Sequence, residues 1–173
     1  MIAAEFSRSV AVDSLAARPR TFDIAADAAE CEALARRFGI LAVSALAARV
    51  SLTRLPGTLV QLQGHLAADV VQTCVVTLEP VPAHIEEDFI RTYDTAPVES
   101  DREVVVDLDA EEPPDAVVDG QIDIGEAAAE HLALSLDPFP RAPGAAFQVP
   151  PEDETSAEPA ATGPFAALAA LKK

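Results

Sequence analysis

Residues 58–77, TLVQLQGHLAADVVQTCVVT, decide how this chain folds. Val60, Leu62, Gly64, Leu66, Ala68 and Val70 fall at every second position, the period of a strand that buries one face. Pro56-Gly57 just before them is a turn signal, and 43–55 alternates in the same way, with Val50 and Leu52 against Ser51 and Thr53. The two stretches are therefore expected to pair as an antiparallel hairpin. A run of 20 residues is long for one flat strand, so a bulge or bend is expected at Gly64 or Ala67-Ala68, of the kind that curls a sheet. The run continues into 70–81, VVQTCVVTLEPV, whose β-forming composition carries Cys74 in the strand and reaches a stop at Glu79-Pro80.

Beyond Pro80 and Pro82, Ile85, Phe89 and Tyr93 recur four apart, a spacing that fits a helix or a strand. The hairpin before them favours a third meander strand. On the N-terminal side, Phe6, Val10 and Val12 and then Phe22 and Ile24 indicate two short strands separated by Arg18-Pro19-Arg20. Asp27 with Glu30 three residues later gives a capping box for a helix from Ala28 to Phe38, stopped by Gly39. A second helix opens at Asp123, again with an acid, Glu126, three residues on. Its stripe of Ile124, Ala128, Leu132 and Leu136 ends before Asp137-Pro138, and it should lie as a lid on the sheet. The fold class is α+β: a curled antiparallel sheet or partial barrel with two main packed helices and a disordered acidic C-terminal linker. One domain spans 1–147 and includes a mobile acidic loop at about 98–120, with a short strand at 104–108. A disordered linker covers 148–163 and a short helical turn 164–173.

The composition narrows the function. With 12 basic and 29 acidic residues the net charge is −17, so broad binding to naked nucleic acid by phosphate neutralisation is disfavoured. The excess is uneven: 1–60 carries +1, with seven arginines, whereas 98–120 carries −8. No apolar run approaches the roughly 18–20 residues that cross a bilayer. Glu5 and Arg8 interrupt the place where a secretory signal would be apolar, so a cytoplasmic, non-membrane protein is expected. Cys31 and Cys74, 43 positions apart, read as buried free thiols.

Catalytic motifs are missing: there is no phosphate-binding glycine loop, nucleophile elbow or paired-histidine metal helix. His65, His84 and His131 are scattered over three elements and do not make a metal site. Glu86, Glu87 and Asp88 alternate faces if they lie on a strand, where they solvate an edge. No catalytic residue, metal or cofactor is expected, and the protein reads as a non-enzyme.

Several short motifs carry a resemblance. Cys74-Val75-Val76-Thr77-Leu78-Glu79-Pro80 is followed by an acidic segment with Phe89, then by Ile122-Asp123-Ile124-Gly125-Glu126, Pro138-Phe139-Pro140-Arg141 and Pro164-Phe165-Ala166-Ala167-Leu168. In that order they resemble the YceD family of large ribosomal RNA subunit accumulation proteins. The resemblance implies an α+β domain needed for normal levels of large-subunit ribosomal RNA. It brings no catalytic residues. Cys74, Leu78, Glu79, Pro80, Asp123, Gly125, Glu126, Pro140 and Arg141 are the positions that match. Many family members place a second Cys three residues after the first, the basis on which metal binding has been suggested for them. Here that position is Thr77, which removes the thiolate pair a tetrahedral zinc site would draw on.

Two functions then compete. In the first, the acidic domain engages a basic large-subunit ribosomal protein or a pre-ribosomal particle and supports ribosome assembly, with Asp107, Asp109, Glu111, Glu112 and Asp115 as the partner-binding acids. In the second, Arg18, Arg20, Arg36, Arg37, Arg49 and Arg54 contact ribosomal RNA directly.

Overall fold

A computed structural model describes residues 5–16, 18–96 and 113–147. The long hairpin forms as its periodicity requires: β3 (Ala42–Arg54) and β4 (Leu59–Thr73) pair antiparallel around the Pro56-Gly57 turn. Next comes β5 (Pro80–Asp94), antiparallel to β4 in one unbroken register from Leu59 opposite Asp94 to Thr73 opposite Pro80. The four-residue spacing of Ile85, Phe89 and Tyr93 is thus a strand pattern. On the other side of β3 lies β2 (Arg20–Ala25), again antiparallel, and beyond β5 comes β6 (Asp115–Ala116), parallel to it. The sheet order is β2-β3-β4-β5-β6. A separate ribbon pairs β1 (Ser9–Ala11) with β7 (Gln121–Asp123).

The capping box of α1 (Ala28–Phe38) is complete. Asp27 accepts from the Glu30 N–H, the Glu30 carboxylate accepts from the Asp27 N–H, and Gly39 closes the helix at φ 67° in the left-handed region. Helix α2 (Ile124–Ser135) starts at Asp123 and lies over β4 and β5, as its apolar stripe implies. A single core joins Leu34 of α1, Leu46, Val50 and Leu52 of β3, Val60, Leu62 and Leu66 of β4, and Ile124, Ala128 and Leu132 of α2. Both helices therefore pack on one face of the sheet. The other face presents alternate residues such as Arg49, His65, Asp69 and Asp88 to solvent.

The structure corrects several expectations. The fold is α+β, but the sheet is mixed and does not close. Among the described residues β2 pairs only with β3 and β6 only with β5, so no ladder there joins the two ends as a barrel requires. Gly64 is not a bulge, because the register runs straight through it between Val50 and Phe89. A Cβ there would sit 2.2 Å from the Phe89 ring, so glycine serves to let that ring cross the strand. The one register shift lies instead in β3, between Val43 and Ala45. Strand β4 ends at Thr73, which puts Cys74 in the following turn and not in the strand, and Pro80 begins β5 where a stop was expected. Within the expected mobile loop, 113–120 holds β6 and a bridge between Val118 and Gln121, whereas 97–112, with the expected strand at 104–108, lies outside the described residues. The expected linker 148–163 and helical turn 164–173 also lie outside them.

Candidate functional site

The turn between β4 and β5 is tightly tied. The Cys74 N–H donates to Glu79 O at 2.8 Å, and the Leu78 N–H donates to Cys74 O at 3.0 Å. Leu78 takes φ 62°, a left-handed conformation costly for a non-glycine residue, and its side chain is 75 % exposed. The Cys74 thiol points inward and is fully buried. Its Sγ accepts from the backbone N–H groups of Val76 (3.4 Å), Thr77 (3.3 Å) and Ala142 (3.3 Å). Three donors aimed at one sulfur favour the thiolate. The Ala142 amide acts most strongly, then the Thr77 side chain and backbone, and together they pull the thiol down to about 6 against the opposing effect of burial.

The same turn captures the chain after α2. Val75 N–H donates to Pro140 O at 2.9 Å, and the buried Gln72 side chain donates to Asp137 O at 2.8 Å. Pro140 is buried and Arg141 exposed. Val75, Leu78 and Phe139 (68 % exposed) leave an apolar surface at this end of the sheet.

The other matching residues sit at the opposite end of α2, about 18 Å away for a helix of 12 residues. Asp123 accepts from the N–H groups of Gly125 and Glu126, both at 3.0 Å, which caps α2. It also accepts from the Arg8 N–H at 2.7 Å and from the Ser7 hydroxyl, so one carboxylate fixes the helix start and the segment before β1. Gly125 lies beneath that segment, where a Cβ would come within 2.4 Å of Phe6 O. The expected capping box does not form here. Glu126 turns away to a bidentate pair with Arg37 of α1, at 2.6 and 2.9 Å, and Arg37 also reaches Glu5 at 3.1 Å. Arg8 in turn grips Glu30 at 2.7 and 2.9 Å. These contacts, led by the hydrogen bonds that Arg37 donates to Glu126, raise the Arg37 pKa, and the bonds donated by Arg8 hold the Glu30 carboxyl below its ordinary value.

The matching positions thus form two clusters joined by one helix. Cys74, Leu78, Glu79, Pro80, Pro140 and Arg141 gather at the β4–β5 turn, while Asp123, Gly125 and Glu126 clasp the N-terminal segment. Of the expected partner-binding acids, Asp107, Asp109, Glu111 and Glu112 lie outside the described residues, and Asp115 sits in β6 with its carboxylate 3.1 Å from Arg91 Nε. Arg91 also pairs with Glu130 of α2. The arginines of the RNA reading are largely engaged: Arg36 with Glu32, Arg37 as above, Arg49 with Asp23 at 2.7 Å, and Arg54 with Val12 O at 3.2 Å. Arg20 stacks on Phe22 at 4.9 Å. The histidines make acidic contacts on the open sheet face, His65 at 2.8 Å from Asp88 and His84 at 2.7 Å from Asp69. Asp69 raises the His84 pKa; burial, then Arg91, lowers that of His131, which stacks on Phe89 at 4.4 Å.

The residues at the turn do not fit the metal suggested for the family. Cys74 supplies one thiolate, Thr77 supplies an amide donor to it, and among the described residues no group of three His, Cys, Asp or Glu side chains is arranged to hold a metal ion. Sequence reasoning missed the sulfur hub because two of its three donors come from the turn itself and the third from Ala142, 68 positions away. It also missed Arg8, whose pairing with Glu30 no local spacing announces.

The YceD family model, described as large ribosomal RNA subunit accumulation protein YceD, matches residues 62–172. This chain belongs to the YceD family. The match covers both clusters and the whole of β5 and α2. No curated protein and no solved structure matches the chain. Among the described residues no helix is long and apolar enough to cross a membrane.

Proposed function

We propose that this YceD-family chain acts without catalysis, supporting the accumulation of large-subunit ribosomal RNA and assembly of that subunit in the cytoplasm. In this reading it binds a basic ribosomal protein or a pre-ribosomal particle. The observation that carries the proposal is the family match over 62–172. The choice of a basic protein partner is supported by the net charge of −17, with −8 in 98–120. A strongly acidic surface speeds encounter with basic clients and repels bare RNA. Direct RNA contact is the weaker reading, because Arg36, Arg37, Arg49 and Arg54 already have internal partners. A non-catalytic role is supported by Cys74, whose sulfur is fully buried and occupied by three backbone amides, out of reach of a substrate.

Two measurements test this. Large-subunit ribosomal RNA is quantified in a strain lacking the gene and should fall. Capture of ribosomal proteins is compared with a gel shift on ribosomal RNA fragments, each at two salt concentrations. Tight RNA binding at physiological salt without any protein present would overturn the partner assignment.

A further inference from the structure

The outer edge of β5 is unpaired over much of its length among the described residues. Thr95 N–H donates to Thr58 O and Val117 N–H to Asp94 O, which fixes the alternation along the strand. Odd-numbered residues of β5 bond to β4, and even-numbered ones turn their backbone groups outward. Pro80 and Pro82 fall on the outward positions, where a missing N–H costs nothing, and β6 covers the strand only at Tyr93 and Asp94. Between these limits the N–H and C=O groups of His84, Glu86, Asp88 and Ile90 have no partner among the described residues. An open cleft of about 320 Å³ runs beside the far end of this edge, with Ile90 (63 % exposed), Leu134 (80 % exposed) and Glu130 on its walls.

An unpaired edge is a template for another strand, and its side chains select which. Here Glu86 and Asp88 stand on the open face, Glu87 on the helix face, and Glu130 borders the cleft. A second copy of this acidic chain would be repelled. A lysine- or arginine-bearing strand would meet a carboxylate on each face.

We propose that β5 takes up an extended basic segment of a protein partner as an added strand, its backbone pairing with His84 to Ile90 and its cations meeting Glu86, Glu87 and Asp88. This rests on the reading above that the partner is a basic protein, and it names the surface and the mode. The acids set encounter and salt dependence, and the backbone pairing sets residence.

The test uses the full chain and a fluorescent eight-residue peptide of paired lysines alternating with paired threonines, which puts cations on both faces of an added strand, followed by anisotropy at two salt concentrations. Asp88→Pro removes one outward N–H and leaves the bonding to β4 intact; it should weaken binding at least about tenfold at both salts. Asp88→Asn should weaken it only about threefold and flatten the salt dependence. The same peptide N-methylated on every amide has no donor on either edge and should not bind the wild-type chain, and this arm stands even if Asp88→Pro fails to fold. Equal binding by the methylated peptide, or by a folded Asp88→Pro chain, would overturn the proposal. So would slow amide exchange at residues 84, 86, 88 and 90 in the isolated chain, which would mean that its own 104–108 segment covers the edge. If a folded Asp88→Pro chain loses the peptide yet fully restores large-subunit RNA in a deletion strain, the edge is not the route and the assembly role stands. Normal RNA in the deletion strain removes the assembly role, and the peptide titration alone then decides the edge.

Discussion

Cys74 is where a single residue does most to hold distant chain together. Its sulfur joins the β4–β5 turn to Ala142, and the thiolate is favoured because its pKa falls to about 6 from an ordinary value near 9. A depressed pKa stabilises the folded state fully above the unfolded value and loses that contribution as pH falls to the folded value. The stability difference between wild type and Cys74→Ser should therefore be largest above about pH 9 and shrink toward pH 6. Denaturant midpoints across that range check this, and a difference independent of pH would mean that the thiol stays protonated. Thr77 beside it leads to a second expectation: elemental analysis of the purified chain should find no stoichiometric zinc, and one zinc per chain lost in Cys74→Ser would contradict it. Gly125 makes the opposite kind of contact, defined by space. Gly125→Ala would drive a methyl group into Phe6 O, at an expected cost of about 1–3 kcal/mol, with amide protection lost first in residues 6–11.

At the scale of elements, the two helix starts look alike in sequence and differ in what they hold. Asp27 and Glu30 serve only α1 and the Arg8 pair, and Asp27→Ala should cost about 1 kcal/mol, the usual value of a cap. Asp123 accepts from α2 and also from Ser7 and Arg8. Asp123→Ala should therefore cost about 2 kcal/mol or more, since it leaves the Arg8 amide and the helix start without acceptors together. Urea unfolding of the two variants side by side gives the comparison; equal costs would show that the N-terminal clasp adds nothing. The β5 strand tolerates Pro80 and Pro82 for a reason visible only in the register, which points their ring nitrogens away from β4.

For the molecule as a whole, charge is the property most open to test. The helices and sheet pair many of their charges with one another, mostly on exposed side chains, whereas 98–120 concentrates −8 in a short stretch. Individual exposed pairs are worth about 0–1 kcal/mol, so any effect on a partner must be collective. Neutralising Asp107, Asp109, Glu111, Glu112 and Asp115 to Asn or Gln should slow capture of a basic ribosomal protein severalfold and flatten its salt dependence, with the thermal midpoint little changed. A variant that captures the partner at the wild-type rate in low salt would remove these acids from the mechanism.

The sequence by itself determined what depends on neighbours along the chain. Period-two alternation specified β3 and β4, the Pro56-Gly57 turn joined them, Asp27 and Glu30 with Gly39 delimited α1, and the stripe from Ile124 to Leu132 specified the buried face of α2. The motifs around Cys74 and Asp123 carried the family. Only the tertiary structure decided what depends on chain meeting chain. An open sheet and a closed one share the same alternation, and what distinguishes them is whether the end strands β2 and β6 pair with each other, which among the described residues they do not. Gly64 reads as a bend until Phe89 is seen crossing it, and Cys74 reads as a strand residue until Ala142 arrives at its sulfur. Glu126 reads as half of a capping box until Arg37 offers it a stronger partner. In each case the deciding contact is made across many positions of sequence, where composition and spacing carry no signal, and burial or a charged hydrogen bond makes the choice.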